Sequence, residues 1–165
     1  MMRQVSNASV LSRVAAFVLS LAMVPALTQP VFAASPKPIV VRATGQITSV
    51  VFCSATEVCQ QTSVSGLATR IGTFTGTLSE RLNLLDGTHS GTATLTTANG
   101  DTISTVYTGQ FTPPDQNGIT FFIEHHQILS GTGRFGDVTG SLDVVGTADA
   151  ATGAVDIIGV GSLTL

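Results

Sequence analysis

Beyond residue 38 the chain never shows the apolar period of an amphipathic helix. It runs instead through segments rich in Val, Ile, Thr and Phe, each cut short by Gly, Asn or Asp. β-Branched and aromatic residues suit a pleated surface, and the punctuating residues suit tight turns. This alternation restricts the chain to all-β architectures. Eight strands are expected, over residues 39–52, 60–65, 69–84, 88–97, 102–111, 119–129, 141–148 and 155–165. Asp86-Gly87, Asn99-Gly100, the stretch 113–118 and the stretch 151–153 supply turns. Asn99-Gly100 is the strongest hairpin signal, because both central positions of a type I′ turn need positive φ. Evenly spaced strands with short connections fit an eight-stranded antiparallel β-barrel, with a β-sandwich as the alternative. The last run stays apolar to its end, which favours pairing on both sides and hence closure.

The first 33 residues read as an export signal rather than as part of the fold. Arg3 and Arg13 are their only charges, an apolar run follows from Val14 to Leu27, and Pro25 and Pro30 break it. Val31-Phe32-Ala33 places small residues at the −3 and −1 positions of a cleavage site. The apolar run is too short to span a bilayer comfortably. Residues 34–38 form an extended leader, and 39–165 a single domain. The expected location is the periplasm or the extracellular space. After cleavage, five basic residues face ten acidic ones, a net charge of −5. A sparse acidic surface offers no basic patch for nucleic acid or for an anionic membrane. Cys53 and Cys59 are the only cysteines, and both fall in the exported part, where disulfides persist. Without C-x2-C spacing or further Cys ligands they are expected to form a structural disulfide.

Gly131-Thr132-Gly133-Arg134-Phe135-Gly136 matches the G-x-G-x-x-G pattern of dinucleotide sites. Such a site needs a parallel strand before the glycines and a helix after them. Here Asp137-Val138-Thr139-Gly140-Ser141 follows, which spoils a helix. The glycines are therefore expected to line a strand-to-strand crossover. In it Phe135 tucks into the core, and Arg134 bonds backbone carbonyls or a carboxylate.

Gly131, Gly133, Arg134 and Phe135, followed by Gly140, resemble a segment of the allene oxide cyclase and dirigent barrel superfamily. The order Gly-Thr-Gly-Arg-Phe, then Thr-Gly-Ser, together with the Ala98-Asn99-Gly100-Asp101 turn, is most similar to the bacterial secreted members. The resemblance covers most of the mature chain. It implies an eight-stranded antiparallel barrel with a central cavity, often assembled as trimers. The plant enzymes of the superfamily guide cyclisation or radical coupling inside that cavity. Their catalytic carboxylates do not map residue by residue onto this chain, so the resemblance assigns no catalytic role.

The densest polar cluster is Glu124-His125-His126, set within an apolar strand. Side chains alternate across a strand, so Glu124 and His126 share one face and His125 lies on the other. Glu beside His suits an acid–base pair, with the carboxylate fixing the imidazole tautomer. Both faces also carry Phe or Ile, so periodicity does not decide which looks inward. Tyr107, the only Tyr, is a candidate proton donor or cavity liner. Glu124, His126 and Tyr107 are thus the catalytic candidates, while Arg81, His89 and His125 are the ligand-binding ones. Arg81 beside Glu80 reads most simply as a surface pair. Glu124, His126 and His89 lack metal-motif spacing, so neither metal nor cofactor is expected. No G-x-S-x-G elbow is present. The expected function is the binding of a small, largely apolar molecule in the barrel. The alternatives are a cyclase- or dirigent-like enzyme and a structural protein of the cell exterior. The expected partners are that ligand and further copies of the chain.

Overall fold

The computed structural model describes residues 35–165, so the export signal and its cleavage point lie outside the described residues. Eight strands follow in chain order: β1 (Lys37–Phe52), β2 (Glu57–Ala68), β3 (Gly72–Asn83), β4 (Thr88–Thr97), β5 (Thr102–Phe111), β6 (Ile119–Gly131), β7 (Thr139–Asp149) and β8 (Ala154–Thr164). Each pairs antiparallel with the next, and β8 returns to β1, closing the barrel. The barrel expectation holds and the sandwich does not. Closure removes the unpaired edges that an open sheet would present. The leader is shorter than its sequence implies, because Lys37 and Pro38 already pair with Leu163 and Ser162 of β8. Among the described residues no helix is long and apolar enough to cross a membrane.

The Asn99-Gly100 connection differs from the expected type I′ turn. Gly100 alone has positive φ there, at 90°, and among the described residues the only non-glycine one with positive φ is Arg70. Gly100 N–H donates to Thr97 O, and Thr97 N–H to Asp101 O. The loop therefore includes Ala98, and one left-handed residue after an ordinary turn suffices.

The two ends of the barrel are built differently. One end is plugged with apolar residues. A single 3-10 turn, Gly133–Phe135, drops the Phe135 ring into it, and Phe135 and Leu163 are 0% exposed. Ile39 and Ile103 are nearly as deep, and Ile71 and Val138 complete the plug. Each such side chain contributes about 1.5–3 kcal/mol by leaving water. Arg134 does both things expected of it. It donates to Ile71 O and lies 3.9 Å from Asp101 Oδ2, while its guanidinium sits 4.6 Å from the Phe135 ring centroid. Asp101 also accepts from Arg134 N–H, so the 98–101 turn and the glycine-rich segment form one corner.

The other end stays open. There β1 runs beyond its last pairing with β8 at Gln46, still paired to β2, as a hairpin arm whose tip is closed by the Cys53–Cys59 disulfide, with Cα atoms 5.7 Å apart. A register shift between Ile47 and Ser49 precedes the exposed residues Val50, Val51 and Phe52 of this arm.

Candidate functional site

Between plug and open end, strand alternation aims a group of polar side chains inward. On β3 the inward series is Phe74, Leu78, Glu80 and Leu82; on β4 it is His89, Ala93 and Thr97. Thr105 and Tyr107 point in from β5, and Phe122, Glu124, His126 and Ile128 from β6. The face of β6 that periodicity left open is thereby settled. Glu124 and His126 look into the barrel, while Phe121 and Ile123 look out.

Glu124 is the hub. His89 Nε2 lies 3.1 Å from its Oε1 and His126 Nε2 2.8 Å from its Oε2. The side chains of His89 and Glu124 are 0% and 4% exposed. His126 Nδ1 meets Thr105 Oγ1 at 3.0 Å, and the Tyr107 ring stacks on His126 with centroids 4.5 Å apart. Glu80, partly buried, accepts from Gln60 Nε2 and lies 3.5 Å from Tyr107 OH. The ring of His89 packs on Phe111 at 4.4 Å.

The two inward carboxylates are pulled in opposite directions. Burial lifts the Glu80 carboxyl above its ordinary value; His89 opposes this, and nearby Glu124 adds to it. Burial also pushes Glu124 upward, but hydrogen bonds from His126 and His89 outweigh it and hold that carboxyl below its ordinary value. Burial, reinforced by Glu80 and Glu124, raises the Tyr107 phenol far above its usual range.

Glycines make room for these rings. Gly91 stands directly across from Tyr107, and Gly109 across from His89. A Cβ at Gly91 would sit 2.6 Å from the Tyr107 ring, and one at Gly109 2.4 Å from His89 Cε1. A neighbouring side chain would therefore displace the cluster.

The centre of the barrel is largely filled. A void of about 50 Å³ remains between His126, Glu124 and apolar residues that include Val64, Phe74 and Val144. That holds a water or two, whereas small-molecule sites span about 300–1,000 Å³. At the open mouth lies a concavity of about 560 Å³, lined by Ile47, Val50, Leu82, Leu84, Leu85 and Phe111 among others. Gln60 and Phe111 belong to that lining and touch Glu80 and His89 from above.

No family model and no curated protein matches the chain.

The structure brings Glu124, His126, Tyr107 and His89 together, as the sequence suggested for separate pieces. It does not bring in the other two. Arg81 points outward and pairs with Glu57 at 3.2 Å, so its reading as a surface partner of Glu80 is corrected. His125 is also on the outer wall, 2.8 Å from Asp143. Sequence reasoning missed Glu80, Gln60 and Thr105. For Glu80 the signal was available: its alternation with Phe74, Leu78 and Leu82 places it inside.

Proposed function

We propose that the protein binds a small, largely apolar molecule at the open end of the barrel. The observation that carries this reading is the mouth itself. It has the volume of a ligand site and a mainly aliphatic and aromatic lining, with Gln60 as a polar contact at its floor. The resemblance of residues 131–141 to the allene oxide cyclase and dirigent barrels supports it, and the location we propose is the cell exterior. Native mass spectrometry of protein purified from its own source tests the reading. Retention of a small organic molecule is expected, together with its loss from the Leu84→Glu, Leu85→Glu double variant. Both residues are exposed, so that variant keeps the fold. A wild-type protein that retains nothing and takes up no member of an apolar ligand panel overturns the proposal.

A second reading, an acid–base enzyme acting on the bound molecule, is favoured by the opposed shifts of Glu80 and Glu124. Pairs of titratable groups driven apart in this way are the usual basis of acid and base roles. In this reading Glu80 is the proton-bearing group nearest the mouth. It predicts that Glu80→Gln keeps ligand binding and loses turnover; unchanged turnover sinks it.

A further inference from the structure

We propose that Glu80, His89 and Glu124 form a binding site for one divalent first-row metal ion, with Zn²⁺ as the reference ion. Each residue offers one ligand atom, and these atoms all lie within 4.8 Å of one another. Carboxylate oxygen and imidazole nitrogen bind zinc at about 2.0–2.2 Å. Ligand atoms around such an ion are thus about 3–4 Å apart, so the cluster would draw in slightly on binding. An imidazole with two carboxylates suits zinc or manganese, and zinc binds such mixed sites more tightly.

Charge makes the same demand. Two carboxylates share one buried pocket, and buried charges need a partner. The described residues contain five basic side chains, Lys37, Arg42, Arg70, Arg81 and Arg134, and all are exposed. None can neutralise the cluster. Glu124 has His89 and His126 at its two oxygens. Glu80 is left with the neutral donors Gln60 and Tyr107.

His89 adds an independent sign. Its Nδ1 is the one buried side-chain polar atom without a hydrogen-bond partner among the described residues. Buried polar atoms are nearly always satisfied, and an unmet one calls for an explanation such as an ion or a reactive role. A buried ring with Nε2 on Glu124 and Nδ1 unpartnered is poorly explained by folding alone. The mouth gives the ion a route in, past Gln60 and Phe111.

The test uses exported protein stripped with a chelator and titrated with ZnCl₂ and, separately, MnCl₂ by calorimetry and thermal melting. One ion per barrel is expected to bind, with a higher melting temperature for the loaded form. Glu80→Gln is expected to weaken binding at least tenfold. His125→Ala, which removes the exposed histidine, is expected to bind as the wild type does. Absence of saturable binding of either ion to the wild type overturns the proposal. So does binding that Glu80→Gln leaves intact, or that His125→Ala abolishes. None of these outcomes depends on the apolar ligand of the mouth, so the two proposals fail separately.

Discussion

Replacing Glu124 by Gln isolates what the hub contributes, because the side chain keeps its size and loses only its charge and one acceptor. Glu124 receives two imidazole contacts, at 3.1 and 2.8 Å. An amide oxygen serves one of them, and the NH₂ group then faces the other ring. One hydrogen bond to a charged group is therefore lost in a buried setting, about 1.5–3 kcal/mol. For a domain of this size that lowers the melting temperature by about 6–12 °C. The pH dependence has a definite sign. The Glu124 carboxyl lies below its ordinary 4.5 in the folded protein, so its stabilisation is fully present above about pH 4.5. It is lost as pH falls through the folded value. The gap between wild type and variant should thus be widest at neutral pH and close on acidification. Glu80 titrates in the opposite sense but is present in both proteins, so it cancels to first order in the difference. The assay is urea unfolding of chelator-treated protein between pH 7 and pH 3. Tyr107 fluorescence reports on the cluster, since the chain has one Tyr and no Trp, and far-UV dichroism reports on the barrel. A gap that stays constant over this range would refute the assignment of Glu124 as the ionised hub.

Glu80→Gln should act in the other direction in chelator-treated protein. Its raised carboxyl destabilises the fold as pH rises above about 4.5, so the variant should gain about 1 kcal/mol at neutral pH and nothing at low pH, read from denaturation midpoints. Gly109→Ala should cost about 1–3 kcal/mol by overpacking, because its Cβ would lie 2.4 Å from both His89 Cε1 and Ile123 O; the same midpoints check it. Phe135→Ala should cost about 3–5 kcal/mol, since the ring is fully buried in the plug, and calorimetric melting would register it. The Cys53–Cys59 disulfide spans a sequence separation of only 6, so its reduction should cost about 2 kcal/mol, measured by comparing oxidised and reduced proteins.

Local chemistry made the strands legible, and the alternation of Val, Ile and Thr with turn residues placed all eight. What it left open is instructive. Phe121 and Ile123 are 54% and 61% exposed, so the outer wall of β6 is as apolar as the inner one. With both faces alike, no periodicity argument could aim Glu124. Glu80 was hidden by its neighbour: Arg81 suggested an adjacent ion pair, yet consecutive strand residues point to opposite faces. The joining of β3, β4 and β6 at one depth depends on barrel register. Register is set by closure over the whole chain, so Glu80, His89 and Glu124 could not be seen as one cluster from spacing alone.

The partition of the barrel bears on why the cluster exists. Apolar residues at 80, 89, 124 and 126 would fill the same space, and replacing buried ionic groups by packed hydrophobic ones is often neutral or stabilising. The plug around Phe135 shows that this chain can build such a core. At the open end it does not, and it accepts a further cost. Gly91 and Gly109 give up strand propensity to admit the rings of Tyr107 and His89. Two glycines, two carboxylates and two histidines thus depart together from what folding alone favours, at one depth, directly beneath an apolar mouth. Departures from local consistency that occur as a set point to a site rather than to drift. The stabilising apolar plug at the opposite end offsets them, which is why the polar half can remain reactive while the barrel stays closed.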